Sequence, residues 1–136
     1  MLNDIFTLIN FLKYKNKIRR VFFFENNFIE YHLAPYTYKN ANINETILVS
    51  LYKIQNDSLK NFKIFQFKKI FFLNLFFLLL KIKYCYSSTP DIDNSAFQRS
   101  IFKKTKYIYI QHSPLGLNKI YRDNAFTNFD VVQVVN

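Results

Sequence analysis

The chain has 136 residues, with 19 Lys and Arg against 9 Asp and Glu for a formal charge of +10, and half of it is hydrophobic. One glycine, one cysteine and a 20% aromatic content exclude a collagen-like or Gly/Ser-rich fibre, a disordered chain and an intrachain disulfide framework. Lys supplies 15 of the basic residues, and Phe, Ile, Asn and Tyr, like Lys encoded by A/T-rich codons, are similarly abundant, so charge alone points only weakly to an anionic partner such as nucleic acid, a phosphate-bearing substrate or a lipid surface.

The length suits one domain with a real core. Residues 1–17 read as an amphipathic helix, with Leu2, Ile5, Phe6, Leu8, Ile9, Phe11 and Leu12 at helical spacing and a basic tail behind them. It lacks the basic start and small-residue cleavage site of a secretory signal. Such a helix can pack on a domain or lie on an anionic membrane surface. Residues 18–136 read as the domain proper. Ile18–Phe24 is the first predicted strand, and Asn26 or Asn27 can cap an amphipathic helix over Phe28–Tyr38. Pro35 predicts a break or a kink in that helix. Thr46–Tyr52 and Asn61–Phe67 are the next strands. Lys68–Leu80 contains the apolar run Ile70–Leu80, far short of the ~20 residues a membrane span needs; it reads as a buried core helix. Ile82–Ser87 is a fourth strand and Ser88–Asn94 a loop. Phe97–Lys103 is expected as a short helix, Lys106–Gln111 as a fifth strand, Asn118–Phe126 as partly helical and Asp130–Val135 as a sixth strand. Strands alternate with helices, and their apolar runs are mostly uninterrupted. That pattern predicts a doubly wound α/β fold with a mostly parallel sheet covered on both faces. A domain ending on a strand is expected to be truncated.

Site motifs are few. Both the dinucleotide fingerprint and the P-loop need several glycines, and paired cysteines for zinc are absent, so no cofactor or metal is predicted. Cys85, inside a strand, reads as a small core residue. Ligands of open α/β sheets bind at the carboxyl ends of the strands, and three polar clusters fall there: Glu25-Asn26-Asn27, Ser87-Ser88-Thr89 and Gln111-His112-Ser113. His112, between an apolar strand and a Pro-Leu-Gly turn, is the candidate general base.

The last 56 residues carry a resemblance. Tyr86-Ser87-Ser88-Thr89-Pro90-Asp91-Ile92-Asp93, Tyr107-Ile108-Tyr109-Ile110-Gln111-His112-Ser113, Ile120-Tyr121-Arg122 and Ala125-Phe126-Thr127-Asn128-Phe129-Asp130 together resemble the CDP-glycerol glycerophosphotransferase family, the teichoic-acid-type polyol-phosphate transferases. Val21-Phe22-Phe23-Phe24-Glu25-Asn26 is compatible with the family's first strand and loop. The resemblance implies a Rossmann-like acceptor-side domain, the N-terminal half of a glycosyltransferase-B-like fold. It implies that His112 deprotonates an acceptor hydroxyl, which attacks the β-phosphate of CDP-glycerol and releases CMP. Glu25, Asn26, Ser88, Thr89, Gln111, Ser113 and Arg122 are the candidate substrate-binding residues. Here the histidine turn reads His112-Ser113-Pro114-Leu115-Gly116, one residue shorter than in better-known members and without their lysine. The donor-binding domain that completes the family's site is not contained in these residues, so the chain alone is expected to be inactive. The expected location is cytoplasmic, peripheral on the inner face of the cell membrane.

Two other classes compete with this reading. One is a basic membrane-surface protein without catalysis. The other is nucleic-acid binding through Tyr107 and Tyr109, which share a strand face; it is disfavoured by the scarcity of arginine, the preferred base-reading residue.

Overall fold

The structure, a computed structural model, describes residues 1–93, 97–111 and 123–134. Its elements in chain order are α1 (Leu2–Tyr14), β1 (Arg20–Phe24), α2 (Asn27–Asn40), β2 (Thr46–Ser50), β3 (Lys63–Gln66), α3 (Ile70–Leu78), β4 (Tyr84–Ser87), β5 (Lys106–Gln111) and β6 (Val131–Val134). The strands form one sheet in the order β3-β2-β1-β4-β5-β6, and every pairing is parallel. This is a Rossmann-like α/β fold.

The sequence dictates the parallel arrangement through its continuous apolar runs. Val21 and Phe23 of β1 enter one core with Ile47 and Val49 of β2 and Leu73, Phe76 and Phe77 of α3. Phe22 and Phe24 enter the other, with Leu48 of β2 and Ile29, Leu33 and Ala34 of α2. A strand buried on both faces cannot alternate apolar with polar residues, and Val21–Phe24 does not. Phe22 stacks on Tyr86 of the adjacent β4 with ring centroids 4.4 Å apart and planes 5° apart. Strand β6 differs: all four of its residues are exposed.

Helix α1 belongs to the same core as α3. It inserts Phe11, which meets Phe76 edge-on at 4.8 Å, and it buries Asp4 completely. The Asp4 carboxylate accepts from the backbone N–H groups of Lys68 at 2.9 Å and Lys69 at 3.0 Å. Helix α3 has no side-chain cap from its own N-cap residue, Lys69. Asp4 therefore supplies that cap from a distant part of the chain, its charge held by the positive end of the α3 dipole. Asp4→Ala is expected to lower stability by ~2 kcal/mol, the loss of a cap with charge-assisted bonds. Urea unfolding measures this directly, and a loss under ~0.5 kcal/mol would remove the cap from the account.

The structure differs from expectation at four places. Helix α2 runs unbroken through Pro35. The carbonyl that a proline releases is that of the residue four earlier, here Tyr31. Tyr31 lies on the solvent side of the helix, 76% exposed, where water can satisfy it, while Leu33, Ala34 and Thr37 hold the buried side. Phe97–Lys103 does not form a helix. Its backbone is bonded elsewhere: Ile101 N–H donates to the Leu78 carbonyl at the end of α3, Ser100 Oγ donates to the Leu80 carbonyl, and Lys103 sits at φ 50°. The apolar helix spans Ile70–Leu78, narrower than predicted, and only Leu73, Phe76 and Phe77 are fully inside. In the expected Asn118–Phe126 helical segment, residues 123–128 form turns, while residues 118–122 lie outside the described residues.

No described helix is long and apolar enough to cross a membrane. Tyr107 and Tyr109 are both buried, which leaves neither ring available to stack on a base. Cys85 is fully buried in β4, and burial pushes its thiol up from the usual range.

Candidate functional site

In this strand order the direction of winding reverses between β1 and β4, the place at which open α/β sheets form their ligand crevice. Phe23 of β1 is level with Ser87 of β4, so the residues immediately beyond them, Glu25 and Ser88-Thr89, line the two sides. Thr89 Oγ1 donates to Glu25 Oε2 at 2.8 Å, joining the two loops across the switch point. Thr89 N–H in turn donates to Ser87 Oγ at 2.9 Å, which fixes the turn out of β4.

The other predicted residues divide into two groups. Asn26 spends its side-chain oxygen as the N-cap of α2, accepting from Ile29 N–H at 2.9 Å. Ser88 is fully buried, and its hydroxyl donates to the Ile110 carbonyl at 2.8 Å, tying the β4 loop to β5. Both shape the rim through the backbone. Glu25 and Gln111, both half-buried, have side chains at the rim itself, while Thr89 is buried with its hydroxyl on Glu25. Gln111 is the last residue of β5, level with Val134 of β6, and half-buried. His112, Ser113 and Arg122 lie outside the described residues. The structure thus brings together Glu25, Ser88 and Thr89, with Gln111 at the end of the next strand.

Sequence reasoning missed a second carboxylate on this rim. Glu30, on the first turn of α2, is buried and accepts from the backbone N–H groups of Gln55 at 2.8 Å and Asn56 at 2.5 Å in the loop after β2. Its signal was present: Glu30 stands four residues before Ala34 and seven before Thr37, both inward-facing, so helical periodicity puts it on the buried side. Asp4 gave the same signal, four residues before Leu8 and seven before Phe11. Beside Glu30 a shallow depression of about 280 Å³ opens between the start of α2 and residues 55–56.

The largest described cavity, about 580 Å³, lies at the opposite end of the sheet, around the start of β5. There Arg99 Nε pairs with Asp93 Oδ2 at 2.6 Å, Asp130 accepts from the Tyr107 backbone N–H at 2.7 Å, and Lys103 also lines the wall. Size alone does not make it the site. The strand-end crevice has the topological argument in its favour, and its two loops are bonded across the opening. Among the described residues no group of three or more His, Cys, Asp and Glu could hold a metal ion.

Titration behaviour follows burial. The phenols of Tyr52 and Tyr107 are pushed up, first by burial; Glu30 beside Tyr52 and Cys85 near Tyr107 add to it. With the Cys85 thiol, these are acids held neutral by the fold. Each favours folding fully below its unfolded pKa and loses that contribution as pH rises towards the folded value. Stability is therefore expected to fall above about pH 9, where unfolded thiols and then phenols ionise. A urea series between neutral pH and pH 11 checks the sign, and a thiol reagent is expected to reach Cys85 only on unfolding.

The fold and the crevice define an α/β protein with a Rossmann-like sheet and a polar strand-end rim. Comparison with protein families, with curated proteins and with solved structures gives no match.

Proposed function

We propose that this chain is the acceptor-side domain of a CDP-glycerol glycerophosphotransferase, acting in cell-envelope polymer or glycan synthesis. The observation that supports the reading best is the Thr89–Glu25 bond across the β1–β4 crevice, in a sheet whose next strand, β5, leads directly into His112 in the chain. On this reading His112 takes the proton of an acceptor hydroxyl, whose oxygen forms the new bond to the β-phosphorus of CDP-glycerol as the bond to the CMP oxygen breaks. Glu25, Thr89 and Gln111 would orient the acceptor's hydroxyls, with Ser113 and Arg122 as further contacts. The donor would be bound by a second domain across the crevice. The location that goes with this activity is the cytoplasm, peripheral on the inner face of the cell membrane.

Binding tests the reading without needing turnover. Titration of the isotope-labelled chain with glycerol 3-phosphate is expected to shift the amides of Glu25, Asn26, Thr89 and Gln111 saturably. CDP-glycerol is expected to leave them unchanged beyond what its glycerol end produces. Glu25→Ala should weaken glycerol 3-phosphate binding about tenfold, as loss of a charged hydrogen-bonding partner does. Absence of saturable shifts at the rim, or shifts confined to the cavity at the start of β5, would overturn it.

A second reading has its own observation. The solvent side of α1 exposes Leu2, Ile5, Phe6, Ile9 and Leu12, as for a basic membrane-surface protein without catalysis.

A further inference from the structure

We infer that the outer side of α1, together with the adjoining end of α3, is a docking surface for an anionic lipid bilayer. The inference rests on the peripheral-membrane reading and not on phosphate transfer.

Helix α1 buries only a narrow stripe. Asp4 and Phe11 face the core, with Leu8 partly buried against it. The outer side, which in a surface helix of a globular protein is polar, carries Leu2, Ile5, Phe6, Ile9 and Leu12, between 37% and 69% exposed, beside the exposed Asn3, Asn10 and Lys13. The helix is apolar on more of its circumference than the domain covers.

The helix also lies flat along the domain. Asp4 caps α3 just beyond the carboxyl end of β3, while the Tyr14 ring sits under the Lys63 ammonium, 3.1 Å from its centroid, at the start of β3. Because α1 and α3 pack into one core on one side of the sheet, their outer sides face the same way. There α3 exposes Phe71 and the residue after its last turn, Leu79. A groove of about 490 Å³ separates Leu12 from Leu79 and Phe102, and Lys15, Lys81 and Lys104 line it.

Charge selects the occupant. Residues 1–24 hold three Lys and two Arg, both Arg pairing with Glu45, and their only acid is Asp4, whose carboxylate is buried on backbone N–H groups. Residues 58–90 hold six Lys and no acid; one of the six, Lys60, pairs with Asp57. A second copy seated on this face would set two such basic margins against each other. An anionic bilayer accepts both parts: the apolar side chains enter the acyl boundary, and the lysines extend to the headgroups.

Flotation with vesicles tests this. The chain is expected to float with vesicles of phosphatidylcholine and phosphatidylglycerol in equal parts, and about tenfold less with phosphatidylcholine alone. Raising salt to about 0.5 M should release a large share of it. Ile5→Ser, Phe6→Ser and Ile9→Ser combined, all at exposed positions, should cut flotation at least about tenfold with unchanged circular dichroism and thermal midpoint. Lys15→Glu, Lys81→Glu and Lys104→Glu combined should cut it and remove most of its salt dependence. No flotation on the anionic vesicles would overturn the inference, as would flotation of the triple serine variant at the level of the parent chain. Light scattering that finds a dimer dissociated by the serine substitutions would assign the face to a second copy instead. The glycerol 3-phosphate shifts should be the same in the serine variant, so failure here and failure of the transferase reading are separable.

Discussion

Phe23→Ala is expected to lower stability by about 3–5 kcal/mol, the range for deleting a buried aromatic side chain. Phe23 is wholly excluded from solvent. Its ring meets Phe77 of α3 edge-on at 5.1 Å and Phe97 at 5.4 Å, and Phe97 reaches on to Tyr107 of β5. The side chain therefore joins the central strand, the helix above it and the next strand but one. Domains of this size have about 5–15 kcal/mol in all, so the variant should lose at least about a fifth of its stability. Its thermal midpoint should drop by roughly 10–20 °C. Ile101→Ala, at a side chain 61% exposed, is the control, with an expected change within ~0.5 kcal/mol. A loss at Phe23 no larger than at Ile101 would mean that the aromatic cluster does not hold the sheet.

The same ring lies two residues before the crevice, since Glu25 follows Phe24 at the end of β1. Loosening it should weaken rim contacts as well as the fold. In Phe23→Ala, protection from hydrogen exchange is expected to fall first at β1 and β4, the strands flanking the switch point.

The centre of the sheet was legible in the sequence because β1 and β2 are buried on both faces. Lys106–Gln111 matches β5 to the residue, and the other five strands appear within their predicted runs, shortened at Ile18-Arg19 and Ile82-Lys83, which lead into β1 and β4. Continuous β-branched and aromatic runs leave few alternatives. Segments governed by distant contacts were not legible. The periodicity of Phe97–Lys103 suggests a helix, yet Ser100 and Ile101 are bonded to the residues ending α3, and no local pattern announces that. Pro35 misled for a related reason, because its effect depends on which side of the helix the released carbonyl faces.

The rim was legible in part. Strand ends position Glu25, Thr89 and Gln111 once the sheet order is known, and the order itself is not written locally. Asn26 and Ser88 were legible as polar strand-end residues, but their partners, Ile29 N–H and the Ile110 carbonyl, make them supports of the loops. Glu30 and Asp4 show the converse: their helical spacing marked both for burial, but a lone acid on an apolar face shows its role only when the backbone N–H groups it caps are known.

CDP-glycerol is expected to stay intact in the presence of this chain alone, with CMP release at the uncatalysed level. Phosphoryl transfer is catalysed by positioning and by charge stabilisation around the phosphoryl oxygens. At the described crevice the charged side chain is Glu25, a carboxylate suited to hydroxyls and unfavourable beside a diphosphate. Stabilising the developing charge therefore falls to groups on the donor's side, which the proposal assigns to a second domain. When a donor-binding domain is supplied, on the same chain or separately, CMP release should become acceptor-dependent. His112→Ala should then lower kcat by roughly 10²–10⁴-fold, the contribution of a positioned general base, with little change in acceptor KM. On the proposed reading, in which Glu25 would hold the acceptor, Glu25→Ala should instead raise acceptor KM. Release of CMP by this chain alone, or a His112→Ala variant that keeps full kcat beside a donor-binding domain, would move the chemistry away from this rim.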